Sequence, residues 1–325
     1  MLGNILVLLI VIGLGVLFGW LTWRAWGWRA KNAFLKWGGV VLSGLLTLVL
    51  ALVSVLAAIG LYQFYAPRGS PIEELQVAGT PEQIARGEHL AKIECVGCHT
   101  TNGELPLSGG LNLGEDIPLP LGDFYSINLT PGGPLKDWTD GEIMRTLREG
   151  VDREGRPLLV MSANTVRYMN DEDKQAIIAY LRSQPAVVND TPDPPDQPTL
   201  LAAVMTGAGQ IQFQPSVTIP IVPKGPTAEY GEYLVGWTRC RDCHGEDLSG
   251  GTGGTAALPA PIGPNLRVVQ GWTLDQFVTT IRTGVDPSGH ALDKSQMPWE
   301  TFRLFDDDEL GALYAYLKSL PPVQK

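Results

Sequence analysis

A chain of 325 residues has room for two or three small domains. Its formal charge of −10 is unevenly spread: residues 1–67 carry four cations (Arg24, Arg29, Lys31, Lys36) and no acid, so the remainder holds a net −14. So acidic a surface argues against nucleic acid as a partner. All four cysteines fall within two short motifs, which leaves none for disulfides elsewhere.

The chain opens with two uncharged apolar stretches, residues 1–23 and 37–67. Each is long enough to cross a hydrocarbon core of roughly 30 Å as a helix, and spans are predicted near Ile5–Trp23 and Val40–Tyr62. The alternative for the first stretch is a cleaved signal peptide, but it has no basic start and no small-x-small cleavage site. The four cations lie between the spans, which places that loop in the cytoplasm and both termini outside it. Trp20, Trp23, Trp26, Trp28 and Trp37 crowd the same side and suit an interfacial belt, with Tyr62, Phe64 and Tyr65 at the other.

Residues 68–80 read as a short linker. Thr80-Pro81-Glu82 predicts a helix start, with a Thr cap, Pro at the first helical position and an acid in the first turn. That helix leads into Cys95-Val96-Gly97-Cys98-His99. Two thiols three positions apart on a helical turn can each form a thioether to one vinyl group of a single haem. The adjacent His can then ligate the iron, which is the chemistry behind C-x-x-C-H. A Gly- and Pro-rich loop follows (residues 102–122), then a helix near Asp140–Glu149 ended by Gly150. An extended stretch, Gly155–Met161, delivers Met161 as candidate distal ligand, and a last helix runs over about Asp171–Ser183. Met169 is the rival ligand, but it sits next to a helix start where a core contact fits better. His89, six residues before Cys95, lies on the helix that presents the proximal side and reads as surface or packing.

Residues 185–226 hold nine of the 25 prolines and suit an extended, stiff connector. Within them Leu200–Met205 is apolar and fits a short helix lying on one domain. The earlier pattern then repeats. Cys240-Arg241-Asp242-Cys243-His244 is a second C-x-x-C-H, preceded by Gly231-Glu232-Tyr233-Leu234 as Gly87-Glu88-His89-Leu90 precedes the first. Trp272–Val285 echoes Trp138–Val151. Met297-Pro298 stands 136 residues after Met161-Ser162, as Tyr316 stands 136 after Tyr180. The equal offsets favour Met161 over Met169 as the counterpart of Met297. His290 is a weaker candidate for the second distal position, placed as it is in a Gly-containing turn. Zinc on Cys95, Cys98, Cys240 and Cys243 is the competing use of the thiols. It explains neither the His after each second Cys nor the downstream Met.

On these motifs residues 80–325 resemble tandem class I cytochromes c. The resemblance implies a close helix crossing, with Gly87 or Gly231 against Tyr180 or Tyr316. It also implies a Pro carbonyl that orients the proximal imidazole, which in the second domain is Pro264. The stretches Leu121–Pro131 and Trp138–Glu142 resemble the cytochrome subunit of membrane-bound quinoprotein dehydrogenases. Two haems behind an N-terminal hairpin resemble the dihaem subunit of cbb-type oxidases.

The expected architecture is therefore all-α: a transmembrane hairpin (1–67), a first cytochrome c domain (68–186), a Pro-rich linker (187–226) and a second such domain (227–325). Two covalent haem c groups are expected, on Cys95, Cys98 and His99 with Met161, and on Cys240, Cys243 and His244 with Met297. A haem held by His and Met has no open site, which implies electron transfer rather than catalysis. The implied partners are redox donor and acceptor proteins, the bilayer and other membrane subunits, with the haem domains outside the bacterial cytoplasm. Three other readings stay open: a dihaem peroxidase, a haem-based gas sensor with an open first haem, and a mainly structural subunit.

Overall fold

The computed structural model describes residues 2–29, 31–251 and 262–321. The Gly-rich loop after the second C-x-x-C-H falls partly outside them. Two long helices, α1 (Leu2–Gly27) and α2 (Ala33–Tyr65), pack as an antiparallel hairpin. Both are apolar on every side and mostly uncovered by protein, and both are long and apolar enough to cross a membrane. Their contact is made by small and hydroxyl residues: Thr22 donates to Ser43 Oγ at 2.8 Å, while Gly15 and Gly19 face Leu50 and Thr47. At the tryptophan end the rings of Trp26 and Trp37 meet edge to face, and Arg24 and Lys36 lie over Trp20 and Trp37.

The first haem-motif domain is built from α3 (Pro81–Glu94), α4 (Val96–His99), α5 (Asp140–Glu149), α6 (Leu159–Ser162) and α7 (Asp171–Ser183). The starts and stops follow local chemistry. Thr80 and Thr139 form capping boxes with Gln83 and Glu142, and Gly150 ends α5 in the left-handed region at φ 65°. Residues 68–80 are more than a tether. They strap along α5, with Ser70 N–H donating to Glu149 and Val77 N–H to Asp140.

The Pro-rich stretch does not run free as an extended spacer. It folds back on the first domain, where β2 (Asp196–Pro198) pairs antiparallel with β1 (Gly122–Phe124). The apolar piece inside it forms α8 (Leu200–Gly207), which packs against α2 and, through Ala202 and Met205, against Leu121 and Phe124 of the first domain. The second domain repeats the first as α9 (Ala228–Trp237), α10 (Cys240–His244), α11 (Leu274–Thr283), α12 (Trp299–Phe302) and α13 (Asp307–Ser319).

In each domain the first and last helices cross at a glycine. A Cβ on Gly87 would overlap the Ala176 carbonyl and come within 2.8 Å of the Tyr180 Cβ. Gly231 meets Ala312 and Tyr316 in the same way, at 2.7 Å. Helices this close leave no space for a methyl group. Gly87→Ala or Gly231→Ala is therefore expected to destabilise the fold by about 1–3 kcal/mol, read as a lower thermal midpoint of the haem-loaded protein.

The two domains meet through these same helices, and the contact is reciprocal. Tyr233 occupies the place of His89 in the repeat, and Glu309 the place of Asp173. His89 Nε2 lies 2.7 Å from Glu309 Oε2, while the Tyr233 hydroxyl donates to Asp173 Oδ2 at 2.6 Å. Each contact is thus matched by its equivalent with the domains exchanged, as across a two-fold axis. Arg86 and Tyr230, themselves equivalent, meet directly at 2.9 Å. The Arg86 guanidinium also forks onto Asp173 at 2.9 and 3.1 Å and reaches Glu309 at 2.6 Å. Burial pushes the Glu309 carboxyl up, but the His89 contact and the Arg86 charge outweigh it and hold the group at about 2. His89 is therefore a packing residue, and what it packs against is the second domain.

Candidate functional site

Cys95 caps the end of α3 and starts the single helical turn α4, which presents Cys98 and His99. These three residues and Met161 line one crevice, with about 950 Å³ of empty space that is partly open to solvent. Its walls are apolar, drawn from Leu113, Phe124, Leu129, Trp138, Leu147 and Val166. A crevice with paired thiols and an imidazole, a thioether sulfur on its lining and apolar walls between fits a flat, largely apolar tetrapyrrole with two vinyl groups. Met169 is fully buried in the core and is not part of this lining.

The His99 imidazole is fixed from one side. His99 Nδ1 lies 2.9 Å from the carbonyl oxygen of Ile127. A carbonyl can only accept, so Nδ1 carries the proton and Nε2 is left with the free lone pair. Burial also lowers the pKa of His99, against the raising effect of that hydrogen bond, and this favours the neutral, ligating form. In the second domain His244 Nδ1 makes the same contact to the Pro264 carbonyl at 2.7 Å. The His244 pKa is likewise lowered by burial.

The loops that hold these carbonyls are superimposable in their hydrogen bonds. Gly109 N–H donates to His99 O, and Gly250 N–H to His244 O. Leu129 N–H donates to Leu107 O, and Leu266 N–H to Leu248 O. The first-domain equivalent of Pro264 is thus Ile127, although no proline stands there. The pairing was visible in the Asn-Leu that follows each, Asn128-Leu129 and Asn265-Leu266. The bond uses a backbone carbonyl, which any residue supplies. Gly263 is needed for another reason: a Cβ there would come 2.6 Å from His244 Nδ1.

Met161 sits on α6, a single helical turn rather than the extended stretch expected from the sequence. The turn is held by Leu158 N–H on Gly150 O at 2.8 Å and by Leu159 N–H on Asp196 Oδ2 at 2.5 Å. Asp196 belongs to β2 and lines the same crevice, so the connector helps to position the Met161 turn. Burial pushes the Asp196 carboxyl up to about 7 despite the Leu159 amide, and burial likewise pushes Glu94 up to about 7. Sequence reasoning had singled out neither carboxyl.

Met297 precedes α12 and is half-buried, its N–H donating to Asp293 O at 2.8 Å. The segment before it is anchored as in the first domain, with Leu292 N–H on Gly284 O at 2.7 Å. His290 is exposed in a turn whose N–H donates to Asp286. The two haem-motif segments also touch each other. Arg239, the residue before Cys240, donates to the carbonyl of Ala163, two residues after Met161, at 3.1 Å.

Comparison with known proteins finds cytochrome families over both haem-motif segments. Residues 228–321 match the family described as cytochrome c. Residues 82–181 match the family described as cytochrome c oxidase, cbb3-type, subunit III. Over 270 residues the chain is 31% identical to the cytochrome c subunit of a quinone-dependent alcohol dehydrogenase from Gluconobacter oxydans, covering 74% of this chain and 55% of that one. It is 28% identical to the gluconate 2-dehydrogenase cytochrome c subunit of Pantoea cypripedii, covering 73% of this chain and 59% of that one. A diheme cytochrome c-type protein of Cereibacter sphaeroides is 27% identical, covering 86% of this chain and 99% of that one. The chain spans little more than half the length of the two dehydrogenase subunits. It carries two cytochrome c domains in tandem, each binding one haem c covalently.

Proposed function

We propose that this cytochrome is anchored in the bacterial cytoplasmic membrane by α1 and α2 and passes electrons between its two haems on the outer side of that membrane. In this reading His99 and Met161 ligate the first iron, and His244 and Met297 the second. The porphyrin supplies the redox chemistry. The chain fixes the imidazoles through Ile127 and Pro264, excludes water with apolar walls, and holds the two sites in one geometry. The observation that carries the reading is the contact between the haem-bearing segments: the Arg239–Ala163 hydrogen bond joins the second attachment motif to the Met161 turn. The buried cluster around Arg86 holds the domains in the same relation.

The donor in this reading is the catalytic subunit of a dehydrogenase, in line with the names of the relatives, and the acceptor is a further respiratory component. The acidic surface suits a partner with a basic patch, so association should slow as ionic strength rises. Mild detergent extraction followed by identification of co-migrating subunits tests the assignment. A dehydrogenase subunit whose substrate reduces both haems is the expected result. Co-migration with a haem-copper oxidase alone would replace the dehydrogenase as partner.

A further inference from the structure

The connector between the haem domains makes an unexpected detour. Instead of passing directly from the first domain to the second, it returns to the hairpin and lays α8 across it. The crossing is close: a Cβ on Gly60 would overlap the Ala203 carbonyl, and one on Gly207 the Leu56 carbonyl. Asn4 of α1 donates to the Pro198 carbonyl at 2.6 Å, just before α8 begins. Phe64, near the end of α2, meets Phe213 edge to face.

The depth of this crossing follows from the hairpin. A hydrocarbon core takes about 20 helical residues. Counted from the belt residue Trp37, that length ends near Ala57 on α2. Counted back from Trp23, it ends near Asn4 on α1. Those are the levels at which α8 crosses. The sequence of α8, LLAAVMTG, contains no charge. Ala202, Ala203 and Thr206 are buried against the protein and Met205 packs towards Phe64, Leu121 and Phe124, while Leu201 is 42% exposed and Val204 only half-buried. The outward face is therefore apolar too, and Leu52, Val55 and Ile59 of α2 are likewise apolar and exposed. A helix apolar on both faces needs a second apolar phase.

We infer that α8 is a third membrane element, lying in the outer interface of the bilayer with Leu201 and Val204 among the acyl chains, and that it sets the height and tilt of both haem domains above the lipid. The inference rests on the reading of α1 and α2 as the anchor. Between the domains, the chain is thereby pinned to the membrane as well as at its N-terminal end.

The test uses the full, haem-loaded chain in phosphatidylethanolamine–phosphatidylglycerol liposomes. The native thiols are taken up by haem, so a thiol-reactive benzophenone labels only an introduced cysteine. Leu201→Cys, Val204→Cys, Leu48→Cys on the exposed face of α2, and Glu104→Cys on the first haem domain are irradiated, and lipid adducts are counted by mass spectrometry. Leu201→Cys and Val204→Cys should give adducts comparable with Leu48→Cys and on the order of tenfold above Glu104→Cys, as hydrocarbon contact requires. Adducts at Leu48→Cys with none at Leu201→Cys or Val204→Cys would overturn the inference and leave the anchor standing. Adducts at none of the three would overturn the anchor reading itself.

Discussion

Met161→Ala and Met297→Ala should each remove the methionine–iron charge-transfer absorption of one haem and lower its reduction potential, leaving the other haem unchanged. The thioether favours ferrous iron, so its replacement by water or another ligand stabilises the ferric state. A fall on the order of 0.1 V is expected, a fraction of the roughly 0.8 V that axial ligation spans across haem proteins. Potentiometric titration of each variant, followed at the absorbance of both haems, checks it. Met169→Leu is the control. Met169 is fully buried outside the crevice, so this change should leave both potentials in place. An unshifted potential in Met161→Ala would remove Met161 from the first iron.

Arg86→Ala should cost about 3–5 kcal/mol, as does removing one partner from a buried ion pair. Arg86 touches Asp173, Glu309 and Tyr230, and the Glu309 side chain is fully buried. Without the guanidinium two carboxylates face each other across the domain interface with only His89, Tyr233 and the Asp306 N–H as partners. The expected result is a lower thermal midpoint, with the domains melting separately when followed at their haem absorbances. The same cluster sets an acid dependence. The folded-state pKa of Glu309, about 2, lies below its ordinary value of 4.5. Its contribution is therefore fully present above about pH 4.5 and is lost as the pH falls towards 2. Glu309→Gln should flatten that acid limb. An unchanged limb would place the acid sensitivity elsewhere.

The parts legible in the sequence were those fixed by local chemistry. C-x-x-C-H demands a helical turn whatever surrounds it. Thr80, Thr139 and Gly150 cap helices through their own side chains or backbone freedom, so α3 starts where the Thr-Pro-Glu signal predicts and α5 ends at Gly150. The equal offsets of Met161–Met297 and Tyr180–Tyr316 come from the repeat itself. The parts that escaped depend on contacts between distant segments. Ile127 gave no sign of its role because a main-chain carbonyl has no residue preference; only the following Asn-Leu betrayed it. Asp196 reaches Leu159 through a strand pairing that a stretch dense in proline does not announce. His89 meets Glu309 across 220 residues of chain, and neither residue carries a local signal of the other. α8 was foreseen as a short apolar helix, but its seat is set by the contact of its Ala203 with Gly60, far apart in sequence.

The claim that two haems closed on both faces carry electrons and do nothing else is tested most directly by carbon monoxide. Added to the fully reduced, detergent-solubilised protein at neutral pH, it should leave both haem spectra unchanged, because neither iron offers a vacant position. Prompt formation of a carbonyl adduct at either haem would show an open or displaceable site and would turn the account towards a peroxidase or a gas sensor.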